Sequence, residues 1–165
     1  MDRTLNDNPQ FKQGYLYAVR LLTASKKSSK ELDRRLKQKG YSEAVIVQIL
    51  DYLKEQGILS DQKLVSESVQ WAKQAKRYGK RRIFAELKKK RIDSKIIESA
   101  LREYSKDEER ETAYALAEKR WDKLSKIEPA KRKQRLYQFL GTRGFDFEII
   151  REVLEKLQVK VNENI

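Results

Sequence analysis

Residues 36–50 read LKQKGYSEAVIVQIL, and the same pattern returns as LKKKRIDSKIIESAL at 87–101 and LGTRGFDFEIIREVL at 140–154. With Gly40, Arg91 and Gly144 placed in register, the copies lie 51 and 53 residues apart. Leu36, Leu87 and Leu140 stand four residues before the register point, and Leu32, Ile83 and Leu136 eight residues before it. Apolar residues one helical turn apart share a helix face. Immediately after the register point come Tyr41, Ile92 and Phe145, followed by Ser42, Asp93 and Asp146. A short polar side chain there accepts a hydrogen bond from an orphan backbone N–H and starts a new helix. The apolar residue before each cap pairs with one in the first turn, giving the staples Tyr41–Ile46, Ile92–Ile97 and Phe145–Ile150. Each copy therefore reads as helix, tight corner, helix.

Working outward, a third helix precedes each pair. The first is predicted over about Gly14–Ser25, with Leu16, Val19 and Leu22 on one face. The second starts at the Ser60–Asp61 cap and runs to about Tyr78, with Leu64, Ser68, Trp71 and Ala75 on one stripe. The third runs from about Lys106 to Ser125, with Ala113, Leu116, Ala117, Trp121 and Leu124 inward. Ser105 with Glu108 has capping-box spacing, and Pro129 suits a helix start after Glu128. Nine helices in three repeats follow: 13–57, 58–104 and 105–158, with frayed ends at 1–12 and 159–165. The fold class is all-α. Units of this size bury their open faces against neighbours, and the expected stack is an elongated, curved solenoid.

Composition agrees. Of 165 residues, 38% are charged and only six are Gly and two Pro, a profile that suits helices. Cys and His are both absent, which removes thiol nucleophiles, disulfides, histidine bases and zinc sites together. With no glycine-rich phosphate loop either, the chain is expected to bind rather than catalyse, without cofactor or metal. No apolar run is long enough for a membrane helix, and Met1–Gln10 lacks the apolar core of a signal peptide. A cytoplasmic monomer is expected.

The net charge of +13 is uneven. Lys73–Arg91 holds ten basic residues and one acid, Glu86. A solvated face normally mixes signs, so this run points to a polyanion or an acidic surface. Its candidates are Lys76, Arg77, Lys80, Arg81 and Arg82 around Tyr78-Gly79, where Gly79 is expected to end a helix. Lys88 and Lys89 follow. A second run, Lys131, Arg132, Lys133 and Arg135, places cations at a helix start, where they oppose the macrodipole. Trp71 and Trp121 lie on apolar stripes and are expected in the core, with base stacking the minor alternative. The helix pairs around Gly40 and Gly144 also resemble helix-turn-helix units. A DNA-binding protein of that kind is the alternative function, although the second helices, 42–56 and 146–157, are acidic or neutral.

The residues Ser28-Ser-Lys-Glu-Leu32, Gly57-Ile-Leu-Ser-Asp61, Trp71, Tyr78-Gly79 with Arg82-Ile83, Glu86-Leu87 and Phe139-Leu-Gly-Thr-Arg-Gly-Phe145 together resemble the RecX family, regulators of the RecA recombinase. The likeness runs from about Tyr15 to Leu157. Arg91 departs from it, since the family usually has Gly there, as a left-handed helix cap. The resemblance implies a regulator that binds RecA filaments on single-stranded DNA, lies in their groove, and inhibits strand exchange, ATP hydrolysis and filament growth. The partners implied are thus the RecA filament and single-stranded DNA, touched directly or through RecA.

Overall fold

The computed structural model describes residues 8–162. Among these the chain forms nine α-helices, one π-helical turn and no strand. The helices are α1 (Pro9–Ala24), α2 (Ser29–Lys39), α3 (Glu43–Glu55), α4 (Asp61–Trp71), α5 (Lys80–Lys89), α6 (Ser94–Arg102), α7 (Lys106–Lys123), α8 (Pro129–Thr142) and α9 (Phe147–Asn162); the π turn Ala72–Lys76 continues α4. Three three-helix repeats in an all-helical chain are thus what the sequence pattern requires.

The repeated corner is built as the register implies. Ser42, Asp93 and Asp146 each accept a hydrogen bond from the backbone of the helix they start, at Val45, Lys95 and Glu148. Leu32, Leu36, Ile83, Leu87, Leu136 and Leu140 are all buried. Gly40 and Gly144 take the left-handed backbone that ends α2 and α8. Arg91 takes it too, at φ 61°, in spite of its Cβ, at a cost of about 1–2 kcal/mol. Ser105 and Glu108 form a full capping box at α7.

The chain packs into two compact units, each described by itself. One joins Met1–Glu67, in its described part, with Leu87–Ile96; the other joins Ser68–Glu86 with the described part of Ile97–Ile165. The first and third repeats each keep their three helices together, while residues of the middle repeat are shared between the units. A repeat too small to bury its own faces behaves in this way. In the first unit Ala18, Leu32, Leu36, Ile46, Ile49 and Leu53 form the centre of the core. The Ser28 hydroxyl donates to the Lys90 carbonyl at 2.6 Å, and Asp61 accepts from the Ser29 N–H at 2.8 Å. In the second, Ala113, Ala117 and Trp121 meet Leu136, Leu140 and the inward face of α9.

Four local expectations are corrected. The first helix begins at Pro9, not Gly14, because Asn8 caps it through the Gln10 N–H and Pro9 takes the first helical position. Its buried face is Phe11, Gly14 and Ala18, and Leu16 is 52% exposed. Gly14 sets that face, since a Cβ there would lie 2.6 Å from Ile49 Cδ1. The frayed ends expected at 1–12 and 159–165 fall partly on 1–7 and 163–165, outside the described residues; 9–12 and 159–162 are helical. In α4 the buried arc runs through Leu64, Val65, Val69 and Ala72, which leaves Trp71 at its margin and 55% exposed. Gly79 does not supply a left-handed cap. Arg77 does, at φ 52°, because the π turn ends the helix two residues earlier.

Candidate functional site

The basic corner at 76–82 follows from that π turn. The turn closes with the Tyr78 N–H donating to the Ala72 carbonyl at 3.1 Å. Gly79 comes next, and its role is close approach: a Cβ there would sit 2.4 Å from the Gly144 carbonyl oxygen. The two corners bond main chain to main chain. The Gly79 N–H donates to the Arg143 carbonyl at 2.9 Å and the Arg81 N–H to the Gly144 carbonyl at 3.2 Å. Guanidinium groups lock the junction from both sides. Arg143 donates to the Lys76 carbonyl at 2.7 Å, and Arg82 donates to the Thr142 carbonyl at 2.8 Å. The Tyr78 ring receives both, with Arg82 at 4.1 Å and Arg143 at 5.7 Å from its centroid.

A buried acid anchors the start of α5. Glu109 is 3% exposed and accepts from the Lys80 N–H at 2.8 Å. Burial pushes its carboxyl above the ordinary range, the Asp146 charge adds to this, and the Lys80 N–H and the Lys80 and Lys106 charges oppose it. Beside it Tyr104 is buried under the ammonium groups of Lys73 and Lys80, 4.9 and 5.9 Å from its ring. Burial pushes its phenol up to about 12. Lys73 also pairs with Glu108 at 2.6 Å, and this contact, with the Ser105 backbone, holds the Glu108 carboxyl below the usual range.

The structure therefore sorts the candidate cations. Arg82 is tied to Thr142, Glu86 and Tyr78, and Lys80 is half-buried over Tyr104. Lys76, Arg77 and Arg81 are exposed, and among the described residues none makes an ion pair. Lys88 and Lys89 lie in the other unit, where Lys88 donates to the Ser94 hydroxyl at 2.9 Å and Lys89 is exposed. In the second run Lys131 and Arg135 are exposed. Arg132 turns back to cap α7, donating to the Trp121 carbonyl at 2.9 Å with its guanidinium 3.8 Å above the indole. This relieves the conflict with the α8 macrodipole. Trp121 is in the core, as its stripe predicts.

The repeats match three family models in order: the first three-helix domain of RecX over residues 15–53, the second over 60–101 and the third over 107–154. The chain belongs to the RecX family. It is 34% identical over 140 residues to a regulatory protein RecX of Clostridioides difficile, covering 85% of this chain and 66% of that one. A RecX of Bacillus licheniformis is 32% identical over 145 residues, covering 88% of this chain and 55% of that one, and one of a Mycobacterium strain is 34% identical over 150, covering 86% and 80%. The chain thus spans 66% and 55% of the length of the first two relatives. The crystal structure of RecX from Lactobacillus salivarius has the same fold, with a TM-score of 0.83 at 26% identity over 91% of this chain and 97% of that one. In RecX terms, the locked junction joins the corner of the second domain to that of the third. Sequence reasoning missed Tyr78, Glu109 and Arg143 as its fasteners. The one available signal was Arg143, an unpaired-looking cation beside the repeated glycine.

Proposed function

We propose that this chain binds RecA filaments on single-stranded DNA and inhibits their strand exchange, ATP hydrolysis and growth, with the 76–81 corner as a contact surface. The observation that carries the proposal is a set of three exposed cations, Lys76, Arg77 and Arg81, on a corner held by main-chain bonds to a second domain. The backbone that carries these charges is pre-organised, so the ordering cost on docking falls on the three side chains alone. Their sign suits a DNA-loaded filament. Relatives named regulatory protein RecX support a regulatory rather than an enzymatic role. In the same unit Lys131 and Arg135 are exposed and would add to the contact; in the other unit Lys88 and Lys89 are exposed and stand as candidates by themselves.

The test is inhibition of RecA ATP hydrolysis on single-stranded DNA by the parent and by a Lys76→Ala, Arg77→Ala, Arg81→Ala variant. The expected result is weaker filament binding and weaker inhibition at unchanged melting temperature. A variant as inhibitory as its parent at equal salt would reject the corner. A parent that binds duplex DNA but leaves filaments unaffected would replace this function with the helix-turn-helix alternative.

A further inference from the structure

Trp71 is the largest side chain left in water beside this corner. It stays 55% exposed although Lys76 stands over its ring, 5.0 Å from the centroid. The pairing is a product of the π turn: Lys76 is five residues on, the hydrogen-bond step of a π-helix. The far end of that turn is held by the Arg143 guanidinium on the Lys76 carbonyl, so indole and ammonium share a fixed frame. Arg77 follows in the left-handed conformation, also exposed. Three acids near this corner are engaged elsewhere, Glu108 by Lys73, Glu86 by Arg82 and Glu109 by the Lys80 N–H.

We propose that Trp71 is a stacking platform for an unpaired nucleobase, with Lys76 and Arg77 neutralising the adjoining phosphates. This rests on the reading that the partner carries single-stranded DNA, and it adds that the chain touches the strand itself. An acidic protein segment would need only the cations and would leave the indole wet. A nucleotide supplies an anion and a π-face together, and every base has such a face, so the contact is sequence-tolerant.

The experiment uses a fluorescein-labelled single-stranded oligothymidylate without recombinase, and the full chain as parent, Trp71→Ala and Trp71→Phe, each checked for unchanged melting. Addition of the oligomer should quench the parent's tryptophan emission, because Trp121 is only 8% exposed and Trp71 is the accessible indole. Trp71→Ala should bind about five- to a hundred-fold more weakly by anisotropy, and Trp71→Phe should recover most of the loss. Parent-like binding by Trp71→Ala overturns the proposal, and so does polyglutamate of equal length displacing the oligomer as well as unlabelled oligothymidylate does. A parent that inhibits RecA filaments without binding the oligomer also overturns it, while leaving the filament function intact. A parent that binds the oligomer through Trp71 but leaves filaments unaffected supports the stacking site and rejects the filament function.

Discussion

Two glycines show how differently the same residue type is used. Around Gly40 a Cβ would meet nothing, and only its φ of +94° requires glycine. Gly40→Ala should cost about 1–2 kcal/mol of strain. Gly79 has ordinary φ, but a Cβ there would lie 2.4 Å from the Gly144 carbonyl oxygen. Neither main chain can yield as a flexible side chain would, so Gly79→Ala should cost about 3 kcal/mol, the upper end of overpacking, measured by urea unfolding. It should also weaken filament inhibition, whereas Gly40→Ala should not. Glu109 gives a signed pH effect. Its carboxyl is raised above its ordinary value of 4.5, with burial the main cause. The folded state therefore holds its proton more tightly than the unfolded state. Its ionised form is unfavourable, and stability falls as pH rises from the ordinary carboxylate value through the raised one. Glu108, lowered first by Lys73, acts oppositely, losing its contribution as pH falls. The difference between parent and Glu109→Gln isolates the first effect. Across that window the parent should lose stability relative to the variant, and parallel pH curves would contradict the assignment.

At the scale of elements, the start of α5 joins two kinds of cation that the sequence presents as one run. Arg82→Ala removes a hydrogen bond to Thr142, an ion pair with Glu86 and a stack on Tyr78. Since the side chain is only partly exposed, a loss of about 1–2 kcal/mol is expected. Arg77→Ala and Arg81→Ala should each change stability by less than about 0.5 kcal/mol. Thermal melts of the three variants decide this, and equal melting temperatures would show that the Arg82 contacts contribute nothing. Leu87, 2% exposed at the other end of α5, is the reference for pure packing. Leu87→Ala should lose about 2–5 kcal/mol and reduce inhibition only to the extent that the protein unfolds. The helix boundaries themselves were legible where a side-chain cap or staple marks them, as at Ser42, Asp93 and Ser105. The end of α4 was not, because a π turn carries no composition of its own, and it shifted the left-handed residue from Gly79 to Arg77.

For the whole molecule, charge and fold should separate when inhibition is plotted against melting temperature: the Lys76, Arg77, Arg81 variant moves along one axis and Leu87→Ala along both. Any direct strand contact should show a salt slope of about −0.7 per phosphate neutralised, flatter in the charge variant. The amino-acid sequence alone determined the all-helical class, the three repeats and the family. Class and repeats are written in periodicity, caps and spacing, which act between residues a few positions apart and survive in any copy of the unit; the family was legible only as a resemblance carried by short motifs such as Ser28–Leu32 and Phe139–Phe145. Which candidates remain free was decided by tertiary structure. Arg82 and Lys76 meet Thr142 and Arg143 across 60 and 67 positions, and Arg132 is tied down by the carbonyl of Trp121. A cation's availability depends on what the fold brings against it, and no local pattern encodes that. The same holds for Trp71, whose stripe predicts burial but whose position at the edge of the buried arc leaves it in water.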